Sequence, residues 1–195
     1  MDDAELVSRA RGGDAAAFGA LVDRHRHAVY RAALAVLRSH ADAEDAAQEA
    51  FVKAYRQLRG FRGDSSFKTW LLTIAWREAI NRRRALKSIW RHVIADRGLR
   101  MADSSDDRAI DVAAADPDPE QMAHDNQLRR HITEAIDALT PKLRDVFLLA
   151  QTGEHTYDEI GAIVGAPLGT VKWRIFEARR VVREYLRQRG YAHAG

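Results

Sequence analysis

From Asp14 to about Arg38 the apolar residues Phe18, Leu21, Val22, Val29, Ala33, Leu34 and Leu37 fall mostly three and four positions apart, which gathers them on one face of an α-helix. The run from Asp42 to Arg59 repeats the pattern with Ala47, Ala50, Phe51, Ala54, Tyr55 and Leu58. After a short glycine-bearing loop, Ser65 or Ser66 is placed to cap a third helix, whose inward stripe is Phe67, Trp70, Leu71, Ile74 and Ala75. Order fades from about Ser88 to Asp125, where the segment MADSSDDRAIDVAAADPDPE is rich in Asp, Ser, Ala and Pro; it reads as a linker, mostly extended or mobile. The helical pattern resumes near Gln127 with Leu128, Ile132, Ala135, Ile136 and Leu139. Thr140-Pro141 then caps and opens another helix, with Leu143, Val146, Phe147 and Ala150 facing inward. No stretch shows strand alternation, and there is no internal repeat. The expected fold is all-α: two small helical domains, residues 1–90 and 126–190, joined by a flexible acidic linker at 91–125.

Charge sharpens this division. Residues 1–90 carry 16 Lys and Arg against 11 Asp and Glu, residues 101–125 carry 1 against 8, and residues 126–195 carry 11 against 8. The modest net charge of +3 therefore conceals two basic blocks on either side of an acidic one, a distribution suited to nucleic acid. The chain has no cysteine, which removes disulfides, thiolate metal sites and thiol catalysis together. No run approaches the roughly 18 consecutive apolar residues of a membrane span, and the start MDDAEL is acidic where a secretory signal is basic and then apolar. A cytoplasmic protein with no membrane partner is expected.

The most informative stretch is HTYDEIGAIVGAPLGTVKWRIFEARRVVREYL, residues 155–186. Thr156 and Glu159 form a capping box for a short helix, Gly165 suits a left-handed C′ position, and Pro167 and Gly169 tighten the turn. Thr170 is placed to cap a second helix. On that helix Val171, Ile175, Ala178 and Val182 lie on one side, while Lys172, Trp173, Phe176, Glu177, Arg180 and Arg183 lie on the other. A basic second helix after such a turn is the DNA-binding helix-turn-helix arrangement. An ordinary helical hairpin is the plain alternative, but it leaves Trp173 and Phe176 in water without a partner. Apolar contact with thymine methyl groups suits Trp173 and Phe176, and Lys172, Arg180 and Arg183 can reach phosphates or guanine edges, with Arg180 the favoured polar base contact and Arg174 and Arg179 at the DNA backbone.

Two further constellations stand in the first block. Asp45, Gln48 and Glu49 share one outer helix face, an acceptor patch for arginines of another protein, although sequence physics by itself favours a solvated acidic first turn. Farther on, Arg62, Ser65, Ser66 and Lys68 surround the mouth of the Phe67–Arg84 helix, where amides and hydroxyls can hold a phosphate or an extruded base edge. Thr73, Trp76, Arg77, Asn81 and Arg84 fall opposite the buried stripe, a surface on which a single-stranded base can stack. The alternative is that Trp76 packs on the second domain. Asp23-Arg24-His25-Arg26-His27 interleaves arginines with imidazoles, which is wrong for a metal site, and no catalytic or cofactor constellation is present.

The run DAEDAAQEAFVKAYRQLRGFRGDSSFKTWLLTIAWREAINRRR resembles region two of the bacterial sigma-70 family, and TPKLRDVFLLAQTGEHTYDEIGAIVGAPLGTVKWRIFEARR resembles region four. Both together resemble the compact two-domain extracytoplasmic-function (ECF) group. The resemblance implies an RNA polymerase sigma factor, with no enzymatic activity of its own and no cofactor. It assigns Asp45, Gln48 and Glu49 to the Asp-x-x-Gln-Glu motif that contacts the β′ subunit of core RNA polymerase. It also implies melting of the minus-ten element by the first domain and reading of the minus-thirty-five element by the second, with promoter DNA and an anti-sigma factor as further partners. The linker matches in position the segment that threads the polymerase cleft, past the β and β′ subunits, where its charge can imitate nucleic acid. Two departures matter: Trp76-Arg77-Glu78 stands where the family usually has an Arg-Asn pair, and Trp173, Phe176 and Glu177 stand where smaller or basic residues are usual. Rival readings lack support elsewhere in the chain. A stand-alone regulator leaves the Asp45 patch unexplained, and a helical adaptor needs no basic recognition helix.

Outward placement of Trp76, Trp173 and Phe176 also implies a resting state in which something covers them, either an anti-sigma partner or closure of the two domains on each other.

Overall fold

The computed structural model describes residues 1–97 and 119–191, and every element among them is helical. Helix α1, Asp3–Arg11, was not apparent in the apolar spacing because only Leu6, Val7 and Ala10 mark its inner face. Its start is fixed by the Asp2 carboxylate, which accepts from the Glu5 amide at 2.8 Å, and its end by Gly12 and Gly13. Asp14 caps α2, Ala15–Leu37, by accepting from the Ala17 amide at 3.0 Å. Ser39 caps α3, His40–Gln57, which tightens into a single 3-10 turn at Leu58–Gly60. The inner stripe of α3 is Ala43, Ala46, Ala47, Ala50 and Ala54, and such small side chains allow the helix to lie close against its neighbours. Asp3 fastens α1 to α2, accepting from His25 at 2.8 Å and from Arg24 at 2.5 Å, which accounts for the buried imidazole of His25.

Helix α4, Phe67–Arg97, is longer than expected. The stretch after Ser88 contains no Gly or Pro before Gly98, so nothing stops the helix. At the other side of the linker, α5 spans Pro119–Ala138. Both ends of the expected linker are thus helical, and its remainder, 98–118 with most of the acidic residues, lies outside the described residues. Helices α6 (Pro141–Gln151), α7 (Tyr157–Val164) and α8 (Leu168–Arg187) complete the chain. Pro141 opens α6 as expected, although the Thr140 side chain makes no capping bond.

Ala135, Leu139, Phe147, Ala178, Val182 and Leu186 form a small core joining α5, α6 and α8. The larger core is continuous across both domains: the apolar residues of α1 to α4 meet Val146, Leu148, Leu149, Ile160, Ile163, Val171 and Ile175. Helix α6 packs on α2, and α7 packs on α4. Helix α6 is buried on two sides because Val146 and Leu149 face the first domain while Phe147 faces its own.

The tightest backbone approach is at Gly161 in α7. A Cβ there would lie 2.7 Å from the Ala166 carbonyl, whose own amide donates to the Gly161 carbonyl at 2.9 Å. Gly161→Ala is therefore expected to destabilise the protein by about 1–3 kcal/mol through overpacking, read as a lower denaturant midpoint with an unchanged slope.

Candidate functional site

The turn between α7 and α8 sets the orientation of the outermost helix. Thr156 and Glu159 close the capping box, with the Glu159 carboxylate accepting from the Thr156 amide at 2.8 Å and the Thr156 hydroxyl from the Glu159 amide at 3.2 Å. Gly165 takes the left-handed conformation, φ 66° and ψ 47°, which a glycine adopts without strain. Helix α8 begins at Leu168 with Pro167 at its N-cap, so Thr170 lies inside the first turn and is not the cap. Val171, Ile175, Ala178 and Val182 are buried. On the opposite face Trp173 is 61% exposed and Phe176 62%, with Lys172, Arg179, Arg180 and Arg183 exposed around them and Arg174 half-buried. Glu177 accepts twice from Arg180, at 2.9 Å from Nε and 2.7 Å from Nη2, and this pairing holds the Glu177 carboxyl below its usual range.

A second surface lies on α3. Asp45, Gln48 and Glu49 are all exposed on one face, as their spacing requires. Two of the three are held: Asp45 accepts from Arg82 Nη2 at 2.8 Å, while Arg82 Nε donates to Asp42 at 2.9 Å, and Glu49 pairs with Lys53 at 3.6 Å. Gln48 lines a groove of about 1090 Å³ between α2 and α3, floored by Phe18, Val22, Phe51, Val52 and Tyr55. Tyr55 is 47% exposed and Val52 43%, so part of the stripe read as inward is open to solvent. The groove could not be foreseen from helical spacing, because a stripe wider than its neighbour can cover looks the same in sequence as a buried one.

The loop before α4 does less than its composition promised. The Ser66 hydroxyl caps α4 by accepting from the Thr69 amide at 3.0 Å, and the Ser65 hydroxyl donates to the Ser66 carbonyl at 3.3 Å. Arg62 is exposed. Lys68 donates to the Glu154 carbonyl of the second domain at 2.8 Å. Trp76 is a correction: expected on an outward face, it is only 4% exposed and belongs to the continuous core. It sits seven residues before Arg83, on the α4 face that reaches Asp145 of α6, so the second domain lies over the surface on which a base was to stack. Arg77, Asn81 and Arg84 remain exposed, and Thr73 is half-buried.

Residues 21–89 match the family model described as Sigma-70 region 2, and residues 129–181 match that described as Sigma-70, region 4. The ECF RNA polymerase sigma-E factor of Escherichia coli (strain K12) is 36% identical over 190 residues, covering 93% of each chain. The chain belongs to the sigma-70 family, in its ECF group. The RNA polymerase sigma-H factor of Pseudomonas aeruginosa is 34% identical over 197 residues, covering 94% of this chain and 93% of that one. The fold is shared with CnrH in complex with the cytosolic domain of CnrY, at a TM-score of 0.66 and 24% identity over 95% of this chain and 97% of that chain. This sigma factor directs transcription initiation and is not an enzyme. No helix among the described residues is long and apolar enough to cross a membrane.

The sigma factor has its two domains closed on each other through charge as well as apolar contact. Glu154, in the loop between α6 and α7, faces His27 at 3.8 Å and Arg31 at 3.6 Å, both on α2. Arg83 meets Asp145 at 3.5 Å, and Arg38 meets Asp137 at 3.5 Å. Burial pushes the Asp145 carboxyl up, with Arg83 opposing, and pushes Arg83 down. Sequence reading missed Glu154 and Asp145 because only the docked arrangement brings them to the basic helices.

Beside Glu154, both ring nitrogens of His155 are shielded from solvent. Burial first, and then the neighbouring Lys68 ammonium, hold His155 below its ordinary 6.5, against the weaker pull of Glu159 and Glu154. A histidine whose pKa is depressed in the closed state favours closure above 6.5, and that contribution is lost as pH falls from 6.5 through the lowered closed-state value. Interdomain energy transfer between labels on α3 and α8 should therefore decrease on acidification below pH 6.5. His155→Gln should flatten this dependence; Asp145, which titrates in the opposite sense, is common to both proteins, so their difference isolates the imidazole.

Proposed function

We propose that this sigma factor docks on the β′ subunit of core RNA polymerase through Asp45, Gln48 and Glu49 together with the apolar groove beside them. It melts the minus-ten element with Arg62, Ser65, Ser66, Lys68, Trp76, Arg77, Asn81 and Arg84, and reads the minus-thirty-five element with α8. Residues 1–90 and 126–190 are the two working domains, and 91–125 connects them through the polymerase cleft past β and β′. The observation that carries this reading is that two separated surfaces keep large apolar side chains in solvent among charged ones, Val52 and Tyr55 on α3 and Trp173 and Phe176 on α8. Such surfaces favour partners. On α8 the ring of cations suits phosphates, with Thr170, Lys172, Arg174, Arg179 and Arg183 at the backbone and Trp173, Phe176 and Arg180 at the base edges.

In the closed arrangement Trp76 is covered and Lys68 is engaged, so melting requires the domains to separate first. Before that, an anti-sigma factor in the cytoplasm covers the exposed apolar surfaces. The sigma factor RpoE of Bartonella quintana, which shares the fold at a TM-score of 0.59 and 24% identity over 87% of this chain and 96% of that chain, is described in a complex with the anti-sigma factor NepR.

Two measurements test the reading. Reversing charge at Asp45 and Glu49 leaves Arg82 with Asp42 and Lys53 with Glu78, so the fold is retained. The double variant should keep its helical circular dichroism and lose at least about tenfold in affinity for core polymerase, a change of about 1.4 kcal/mol; unchanged affinity would sink the docking surface. Trp76→Ala should reduce permanganate reactivity of promoter thymines in holoenzyme complexes that still bind the upstream element, since stacking is worth about 1–3 kcal/mol per base. Reactivity equal to that of the parent would remove Trp76 from melting.

A further inference from the structure

At 3.6 residues per turn, Trp173 and Arg180 lie almost on one line along α8, flanked closely by Phe176 and Glu177. Lys172, Arg179 and Arg183 lie along a second line roughly a quarter-turn away, and Arg174 lies on the other side. The face is thus a central strip of two aromatic rings and one ion pair, edged by unneutralised cations. A helix seated in a major groove presents its central strip to base edges and its margins to the two phosphate walls.

We propose that Glu177 is a positioning residue that makes Arg180 a reader of guanine instead of a phosphate contact. The proposal rests on α8 being the helix that enters the upstream promoter element. A guanidinium has five N–H donors. Glu177 takes the Nε–H and one Nη2–H, a side-on pairing that uses both carboxylate oxygens and fixes the plane of the group. Three donors are left, two on Nη1 and one on Nη2. The outer pair of these, one from each nitrogen, forms the parallel fork that matches guanine O6 and N7. Meanwhile the carboxylate cancels the charge that would draw Arg180 to the phosphates, whereas Arg183 on the flanking line has, among the described residues, only the Arg179 carbonyl as its acceptor at 3.4 Å. Glu177 therefore trades general attraction for DNA against discrimination at one base pair.

The test uses the full chain assembled with core RNA polymerase and a promoter library randomised across the upstream element, comparing the parent with Glu177→Ala, Arg180→Ala and the double variant, each checked for parental helicity. The parent is expected to select one G·C pair that Arg180→Ala no longer selects, a loss of about 5- to 150-fold in discrimination, the value of one bidentate contact. Glu177→Ala should lose much of the same preference while its affinity for unrelated DNA rises, and the double variant should discriminate no worse than Arg180→Ala. Glu177→Ala that keeps the parental preference and merely binds every sequence more tightly would overturn the proposal, leaving Arg180 as a phosphate contact. An upstream preference insensitive to Arg180→Ala and also to Trp173→Ala would instead overturn the placement of α8 in the groove.

Discussion

Helix α4 has apolar side chains on two faces, and a helix of that kind must be covered twice. Leu71, Ile74 and Ala75 lie along one side of the helix, while Leu72, Trp76, Ala79 and Ile80, all buried as well, extend the apolar surface around it. In the closed arrangement the second covering comes from α7 of the other domain, with Asp145 of α6 reaching Arg83. The rest of the closed geometry follows from that requirement. Once α7 lies on α4, the loop before it brings Glu154 to the basic face of α2, and α6 brings Asp145 to Arg83.

The same requirement explains which parts of the structure were readable in the chain. Helices α2, α3 and α8 carry a single apolar stripe whose spacing locates them within a few residues, while α6, buried on two sides, is located by Pro141 at its start. The outward strip of α8 was readable for the same reason, since Val171, Ile175 and Ala178 leave Trp173 and Phe176 no inward position. Trp76 was not readable. Placing it away from the Leu71 stripe is correct for the helix alone, but whether that face meets water depends on the docking of the second domain, marked by the Arg83–Asp145 pair across 62 positions of chain, which no local pattern encodes. Helix α1 was missed because its inner face is marked by three residues in nine, Leu6, Val7 and Ala10, too few to distinguish from a loop. The groove beside Gln48 was missed for the opposite reason, as α3 has more apolar residues than α2 and α4 cover.

The polar contacts between the domains have a different role from the apolar ones. Exposed ion pairs contribute about 0–1 kcal/mol each, and His27, Arg31 and Arg38 are all substantially open to solvent. Burying an indole removes on the order of 150–250 Å² from water, or about 4–6 kcal/mol at about 25 cal/mol per Å². Trp76 and its neighbours therefore supply most of the attraction, while the charges set which face of α4 is met and at what register. Lys68 is tied in the same way, donating to the Glu154 carbonyl across the domain boundary.

This division decides how the protein can open. Salt weakens the exposed pairs but leaves the apolar contact intact, so ionic strength alone does not separate the domains. Nor can a purely ionic competitor do so, since it displaces the Arg83 and Arg38 pairs without offering Trp76 a surface. Opening requires a partner whose binding energy is larger in the separated state than in the closed one, because a ligand shifts an equilibrium only by its differential affinity. A large protein that engages α3 and α8 at a spacing the closed form cannot adopt meets that condition.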